Sequence, residues 1–480
     1  MVADIAYMQD QQHSIDRMHE LFAQQRAAYR AAPMPDADSR IQQLNALKSA
    51  LLKHQDALIS AINADFGRRS ADETKLAEIL PAVEGIKYAC KHIRGWMKPS
   101  KRKVGMAFQP GKAQVVYQPL GVIGIIVPWN YPLFLAIGPL VTAIAAGNRA
   151  LIKMSESTPA TAELLGKVLA EVFKEDQVAV VTGEAEVGMA FSQMAFDHLL
   201  FTGATSIGRH VMRAAAANLT PVTLELGGKS PAIISADVPL TDAAERIAFG
   251  KGMNAGQTCV APDYILCPRA RVEGLVEALS TQLAKMYPKL LNNPDYTQVI
   301  NPRQYLRLQG YLQDAEAKGA RLLPINPANE DLSDSRILPP TLILNVSDDM
   351  TLMQDEIFGP LLPIAPYDSL QEALDYIADR PRPLALYYFG YDKAEQQRMM
   401  EQTHAGGMCI NDTIFHVAQD DMPFGGIGAS GMGHYHGHEG FLTMSKAKSV
   451  YIKQRFNGSR PIYPPYGGKL LNMVYKLFLR

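Results

Sequence analysis

The chain has 480 residues, 47% hydrophobic and 20% charged, a length suited to about three domain-sized units and a composition ordinary for a globular protein with an ample core. Its 47 basic residues meet 48 acidic ones, so the bulk charge gives no reason to expect nucleic acid or an acidic partner, and neither is expected. The four cysteines, Cys90, Cys259, Cys267 and Cys409, form no CxxC pair and have no nearby histidine set, which argues against a disulfide framework or a zinc site; no metal is expected.

The opening "MVADIAYMQDQQHSIDRMHELF" is interrupted by Asp and Gln and lacks a basic segment followed by an apolar one. It does not read as a secretory signal, and a cytoplasmic location is expected. Residues 14–100 read as helices: "SRIQQLNALKSALLKHQDALISAINADFG" repeats apolar residues at three- and four-residue intervals and stops at Gly67. From Val115 the texture changes to short apolar runs ending in turns, such as "GVIGIIVPWN", "ALIKMSE", "AVVTG" and "HLLFTG", with helical patterns between several of them. This alternation predicts βαβ units and a mostly parallel sheet covered on both faces. The most apolar stretch, Val122 to Ala146, contains Trp129, Asn130 and three prolines, so it predicts a strand, a turn and a buried helix rather than a membrane span.

In such sheets ligands bind at the carboxyl ends of the strands, which makes Asn130, Lys153, Glu156 and Gly203 candidates by position. A second α/β pattern runs from about Asp237 to Thr443. Two β-like pieces, "VGMAFQPGKAQVVYQP" and "SVYIKQRF", lie outside both patterns and are expected to form a protruding sheet that joins subunits. The tail "KLLNMVYKLFLR" is too short to span a bilayer; docking on the protein or a partner subunit is favoured over weak association with a surface.

Cys259 sits in "MNAGQTCVAP", among small and amide-bearing residues. Two readings stand: a thiolate nucleophile near polar groups and backbone amides, or a small buried hydrophobe. Glu225 ends the leucine-rich run of "TLELGGKSP", where it is either a general base of raised pKa in a pocket or a solvated acid at the mouth of a sheet. Asn130 of "IVPWNYP" follows a strand and precedes a helix, a place for an oxyanion donor, a helix cap, or both. Gly203 and Gly208 of "FTGATSIGRHVM" are spaced GxxxxG rather than GxGxxG, fit for a diphosphate or simply for a tight turn. Lys153 and Glu156 of "LIKMSE" offer ribose contacts or an exposed ion pair. His434, His436 and His438 of "GHYHGHEG" read as part of a glycine-rich loop in preference to a metal site.

Together these residues resemble the aldehyde dehydrogenase superfamily from about residue 30 to 455, on the segments "PWNYP", "LELGGKSP", "GQTCVAP", "DEIFGP" and "PFGGIGASGMG". "NDTIF" and "SGMGHYHG" are similar to its class 3 branch, and "APMPDADSRIQQL" with "DFGRRSADET" to the bacterial coniferyl aldehyde enzymes within it. The resemblance implies an α/β fold with a Rossmann-like cofactor domain (1–100 and 118–226), an α/β catalytic domain (227–444), oligomerisation strands (101–117 and 445–460) and a tail (461–480). It implies Cys259 as nucleophile, Glu225 as general base, and Asn130 with the Cys259 backbone amide as oxyanion donors. It implies cofactor contacts from Trp129, Lys153, Glu156, Gly203, Thr205, Gly208, Leu226, Glu356 and Phe358; Met154, where the family usually has Pro, departs from the pattern beside two of them. Ile414, Phe415, His416 and Val417 are implied at the substrate entrance.

The implied reaction is NAD(P)-dependent oxidation of an aldehyde to its acid through a cysteine thiohemiacetal and thioester, with NAD expected over NADP from Glu156, in a homodimer. The expected substrate is aromatic and like coniferyl aldehyde; a medium- or long-chain aliphatic aldehyde is the alternative. A cofactor-independent cysteine hydrolase is disfavoured because no His lies in a suitable motif.

Overall fold

The computed structural model describes residues 2–105 and 108–479. The chain enters through long helices, Val2–Ala31, Ala37–Lys53, Gln55–Phe66 and Leu80–Trp96. Local chemistry sets their ends. Asp36 accepts from the Ser39 backbone N–H to start the second helix, and Gly67 closes the third at φ 77°, a left-handed turn that a side chain would strain. Leu44, Leu47, Ile62, Phe66, Ile86 and Ile93, spaced on single helix faces, are buried in the core.

These helices pack on a six-stranded sheet whose spatial order is Gly431–Met432, Val222–Glu225, His198–Thr202, Val122–Ile126, Arg149–Lys153 and Val178–Val181. All neighbours are parallel except the first pair. The strands finish level: Ile126 pairs with Lys153 and Phe201, and Thr202 pairs with Glu225. That row of carboxyl ends is the floor of the site. The apolar run after Trp129 becomes the helix Phe134–Ala146, nearly all buried, so its hydrophobicity serves the core as its prolines foretold. Among the described residues no helix is long and apolar enough to cross a membrane.

A second, seven-stranded sheet has the order Arg321–Pro324, Thr341–Leu344, Leu361–Tyr367, Tyr264–Pro268, Pro231–Ile234, Ala385–Phe389 and Gly407–Ile410, parallel except at its first pair. The chain crosses from the first sheet to the second through "LGGK" and returns at Gly431–Met432. The two β-like pieces outside both patterns do pair: Lys112–Pro119 lies antiparallel between Ser100–Arg102 and Ser445–Ile452, a separate three-stranded sheet with much of its surface exposed.

Candidate active site

Where the two large sheets meet lies a cavity of about 1080 Å³, lined among others by Trp129, Asn130, Gly203, Thr205, Glu225, Leu226, Cys259, Glu356 and Phe358. Nine candidates separated by up to 229 positions thus share one space. Gly208 sits just beneath it, where a Cβ would come within 2.6 Å of Leu226.

Cys259 is carried by a loop in an unusual conformation. Asn254 and Ala255 have φ of 51° and 50°, and Gly256 has φ 71° with a Cβ position 2.3 Å from the Gly359 carbonyl oxygen, so only glycine fits. Side-chain amides hold the loop: Asn254 Nδ2 donates to the carbonyls of Gln257 and Asn130 at 3.1 Å each, and Gln257 Nε2 donates to those of Asn254 (3.0 Å) and Gln298 (3.1 Å). Thr258 is tied to the Tyr131 hydroxyl at 2.7 Å. The Asn130 turn is fixed from below. Arg69 Nη1 donates to the Asn130 carbonyl (2.8 Å) and lies 3.0 Å from Glu78 in an ion pair with both side chains fully buried. Glu78 in turn accepts from the Leu133 (2.7 Å) and Phe134 (3.1 Å) amides, while Glu73 accepts from the Asn254 amide (3.1 Å) and the Thr297 hydroxyl (2.8 Å).

The acids of the cavity differ in kind. Glu225 is buried with both carboxyl oxygens free of hydrogen bonds, and burial raises its pKa well above the carboxylate range. Glu356 is pushed up to about 8, first by burial and then by Asp263; its carboxylate lies where a Cβ on Gly227 would come within 2.1 Å. The Cys259 thiol is pushed up to about 12 by burial, then by the neighbouring Glu356 and Glu225. Phe358 has φ 51° and stands edge-on to Trp129, ring centroids 5.2 Å apart. Arg307 anchors this loop through the Ile357 carbonyl (2.9 Å).

The cavity suits a dinucleotide by its own features. The helix Thr205–Ala216 opens onto it with no side-chain cap and no acid in its first turn, leaving backbone N–H groups and Arg209 for an anion. Gly203 leaves room for close approach, since a Cβ there would lie 2.6 Å from Phe201, and the buried Thr202 hydroxyl has no partner.

Other candidates lie elsewhere. Lys153 and Glu156 are not brought to the cavity wall: the Lys153 ammonium, buried at the strand end, donates to the Met154 carbonyl (2.7 Å), and Glu156 is exposed. Ile414 and Val417 pack in one apolar cluster with Cys259, Phe249, Met253 and Phe424. Phe415 is half exposed and stacks on Phe249 at 5.9 Å. His416 turns toward the strand Gly407–Ile410, with Nδ1 3.1 Å from Cys409 Sγ and its ring against Gly407. Among the described residues no cluster of three or more His, Cys, Asp or Glu suits a metal ion. Arg69, Glu73, Glu78 and Tyr131 were not foreseen, whereas the amides of Asn254 and Gln257 were noted beside the thiol without their role in holding the loop; the nearest signal for the first two was the run of polar residues in "DFGRRSADET" between helices that otherwise pack apolar faces.

Residues 5–450 match the aldehyde dehydrogenase family. The chain is 65% identical, over the full length of both, to a probable coniferyl aldehyde dehydrogenase of Pseudomonas aeruginosa, and 46% identical to the coniferyl aldehyde dehydrogenase of a Pseudomonas species, covering 95% of this chain and 93% of that one. The substrate-bound AldH of Staphylococcus aureus superposes with a TM-score of 0.90 at 38% identity, covering 96% of this chain and 99% of that chain. The aldehyde dehydrogenase of Mycobacterium tuberculosis complexed with NAD+ does so with a TM-score of 0.83 at 31% identity, covering 92% and 90%. The fold and the cavity's residues thus come with a sequence and structural likeness over nearly the whole chain: the chain belongs to the aldehyde dehydrogenase family and oxidises aldehydes with a nicotinamide cofactor.

Proposed function

We propose that the protein oxidises an aromatic propenal of the coniferyl aldehyde type to its acid, with Cys259 as nucleophile, Asn130 as oxyanion donor and Glu225 as general base. One observation carries this reading: the thiol, the amide of Asn130 on its anchored turn and an unpartnered buried carboxyl group line the same cavity. The Cys259 thiolate adds to the aldehyde carbon, and the resulting alkoxide is met by the Asn130 side-chain amide and the Cys259 backbone N–H, each worth about 3 kcal/mol in the transition state. When bound, a nicotinamide dinucleotide supplies the hydride acceptor, held by the Gly203 turn, the helix start at Thr205 and the Trp129, Glu356 and Phe358 side. Glu225, made a stronger base by burial, takes the proton of the water that hydrolyses the Cys259 thioester. The Arg69, Glu78 and Asn254 network keeps nucleophile and donor in register.

The aromatic substrate is supported by the names of the similar proteins and by Phe249 and Phe424, which share an apolar cluster with Cys259, with Phe415 stacked on Phe249. NAD is proposed over NADP because Glu156, exposed just past the end of the strand Arg149–Lys153, would repel a 2′-phosphate on a ribose that extends beyond the cavity wall to this strand end. We also place the exposed three-stranded sheet at a homodimer interface and the protein in the cytoplasm.

Initial rates of NADH formation with coniferyl aldehyde, benzaldehyde, octanal and a long-chain aldehyde test the substrate. The highest kcat/KM is expected for coniferyl aldehyde, and a preference for octanal would replace the aromatic reading with the aliphatic one. Cys259→Ala should leave no measurable oxidation with any of the four.

A further inference from the structure

A second, smaller cavity of about 40 Å³ lies against the helix Phe134–Ala146, lined among others by Tyr88, Trp96, Phe134, Asp420 and His436. It has room for one small polar group and little more. Its walls are largely aromatic, yet it has a polar end. His436 is 9% exposed, and neither of its ring nitrogens has a hydrogen-bond partner. Burial, then His416, pushes its pKa down to about 4, so at neutral pH the ring is uncharged and offers one N–H donor and one bare acceptor. The hydroxyls of Tyr88 and Thr142 are already engaged, donating to Asp421 and to the Tyr435 carbonyl (2.7 Å). Asp420 brings a carboxyl group to the same lining; burial, then Glu84, raises it to about 6, so at neutral pH it is an acceptor. Two orphaned nitrogens on one buried ring are a cost that a ligand bonding to them removes.

Phe424 and Tyr435 connect this cavity to the reacting groups. Phe424 stacks on His436, centroids 5.2 Å apart, and packs in the apolar cluster that holds Cys259 and Phe249. Tyr435 stands edge-on to Phe424 at 6.0 Å and to His436 at 4.5 Å. Its hydroxyl is raised well above the ordinary range, first by burial and then by Glu225 and Cys259, so the ring neighbours the thiol and the carboxyl group at once. Thiol, apolar ring surface and buried polar pocket therefore follow one another. A molecule with an aldehyde at one end, an aromatic ring, and a hydroxyl at the far end has its groups in the same order. An aliphatic chain brings nothing to bond the imidazole.

We propose that His436 and Asp420 form a subsite for a phenolic hydroxyl group on the aldehyde substrate. The inference rests on the coniferyl-type reading above and deepens it: the substrate ring lies against Phe424, its O–H donates to the Asp420 carboxylate, and the His436 N–H donates to its oxygen. The subsite selects hydroxylated aromatic aldehydes over unsubstituted ones, because a ring without the hydroxyl leaves both groups unbonded.

The test compares 4-hydroxycinnamaldehyde with cinnamaldehyde, which differ by that one hydroxyl, and with octanal. In the parent the kcat/KM ratio of the first to the second should be at least about tenfold. His436→Phe and Asp420→Ala should each bring the ratio down towards one, and His436→Gln, which keeps a donor, should restore part of it. A purely structural role would lower both aromatic rates together and leave the ratio where it was, and that result in both variants overturns the proposal. So does a parent that oxidises the two cinnamaldehydes equally and faster than octanal, which leaves the aromatic reading standing and the cavity to water. A parent that prefers octanal to both would instead remove the aromatic reading, and this subsite with it.

Discussion

Glu225 and Glu78 are both buried glutamates at the edge of the same catalytic floor, and the fold treats them in opposite ways. Glu78 has a guanidinium at 3.0 Å and two backbone amides as partners; Glu225 has none. A buried carboxyl group without partners is a standing cost to the fold. Such a group is kept where reactivity needs it, whereas one held by an ion pair and backbone amides keeps other groups in place. On the proposed function the same residue type at the same depth serves chemistry in one case and architecture in the other, and the partners of each carboxyl group tell them apart.

Substitution by the neutral isostere tests that distinction most severely. Glu225→Gln should cost about 10²- to 10⁴-fold in steady-state turnover while leaving a first burst of NADH, because the acyl step survives and hydrolysis does not. Its melting temperature should stay level, since no hydrogen bond is lost. Glu78→Gln should do the reverse at the level of the fold: it strands the Arg69 charge in the interior, at a cost of about 3–5 kcal/mol, read as a lower midpoint of denaturant unfolding. Equal destabilisation by both changes would erase the contrast.

The difference between the two glutamates also marks how far the sequence can be read. Glu225, Asn130 and Cys259 stand out because each follows an apolar run or sits among glycines and prolines, so position alone points to a strand end or a loop. Glu78 lies in a helical stretch with Leu76, Ile79 and Leu80 beside it, a pattern in which an acid reads as solvated. Its burial comes from a partner at Arg69 and a helix start at Leu133, 55 positions on. The strands and the mostly parallel sheets were legible from alternation of apolar runs and helices. The antiparallel return of Gly431–Met432 onto Val222–Glu225 was not, since two residues carry no period. Lys153 was placed correctly at a strand end, yet its ammonium folds back onto Met154, and side-chain direction is outside what spacing can fix.

Asn130 stands between the two regions, its carbonyl held by Arg69 and Asn254 and its turn bordering the thiol. Asn130→Ala removes the proposed oxyanion donor and keeps those backbone bonds, so kcat should fall about 10²- to 10³-fold with stability nearly unchanged. A similar loss from Arg69→Lys, through a disordered Asn130 turn, would show that support and donor act as one unit; the single guanidinium contact at 2.8 Å makes that coupling measurable by a double-mutant cycle.

The smallest effect concerns the third acid. The Cys259 thiol is raised to about 12 chiefly by burial and next by Glu356, whose own pKa is about 8. A negative charge beside a thiol disfavours the thiolate, so Glu356→Gln should lower the thiol pKa and speed its alkylation by iodoacetamide. The sign of the pH dependence follows from Glu356 itself. Below about 8 the parent carries a neutral carboxyl group at this place, as the variant does, and the two rates should coincide. Above about 8 the parent gains the charge and the variant does not, so the variant should pull ahead by a few fold. Curves that separate below that pH would mean Glu356 is already ionised in the free enzyme, and would place it with Glu78 among the partnered acids rather than with Glu225.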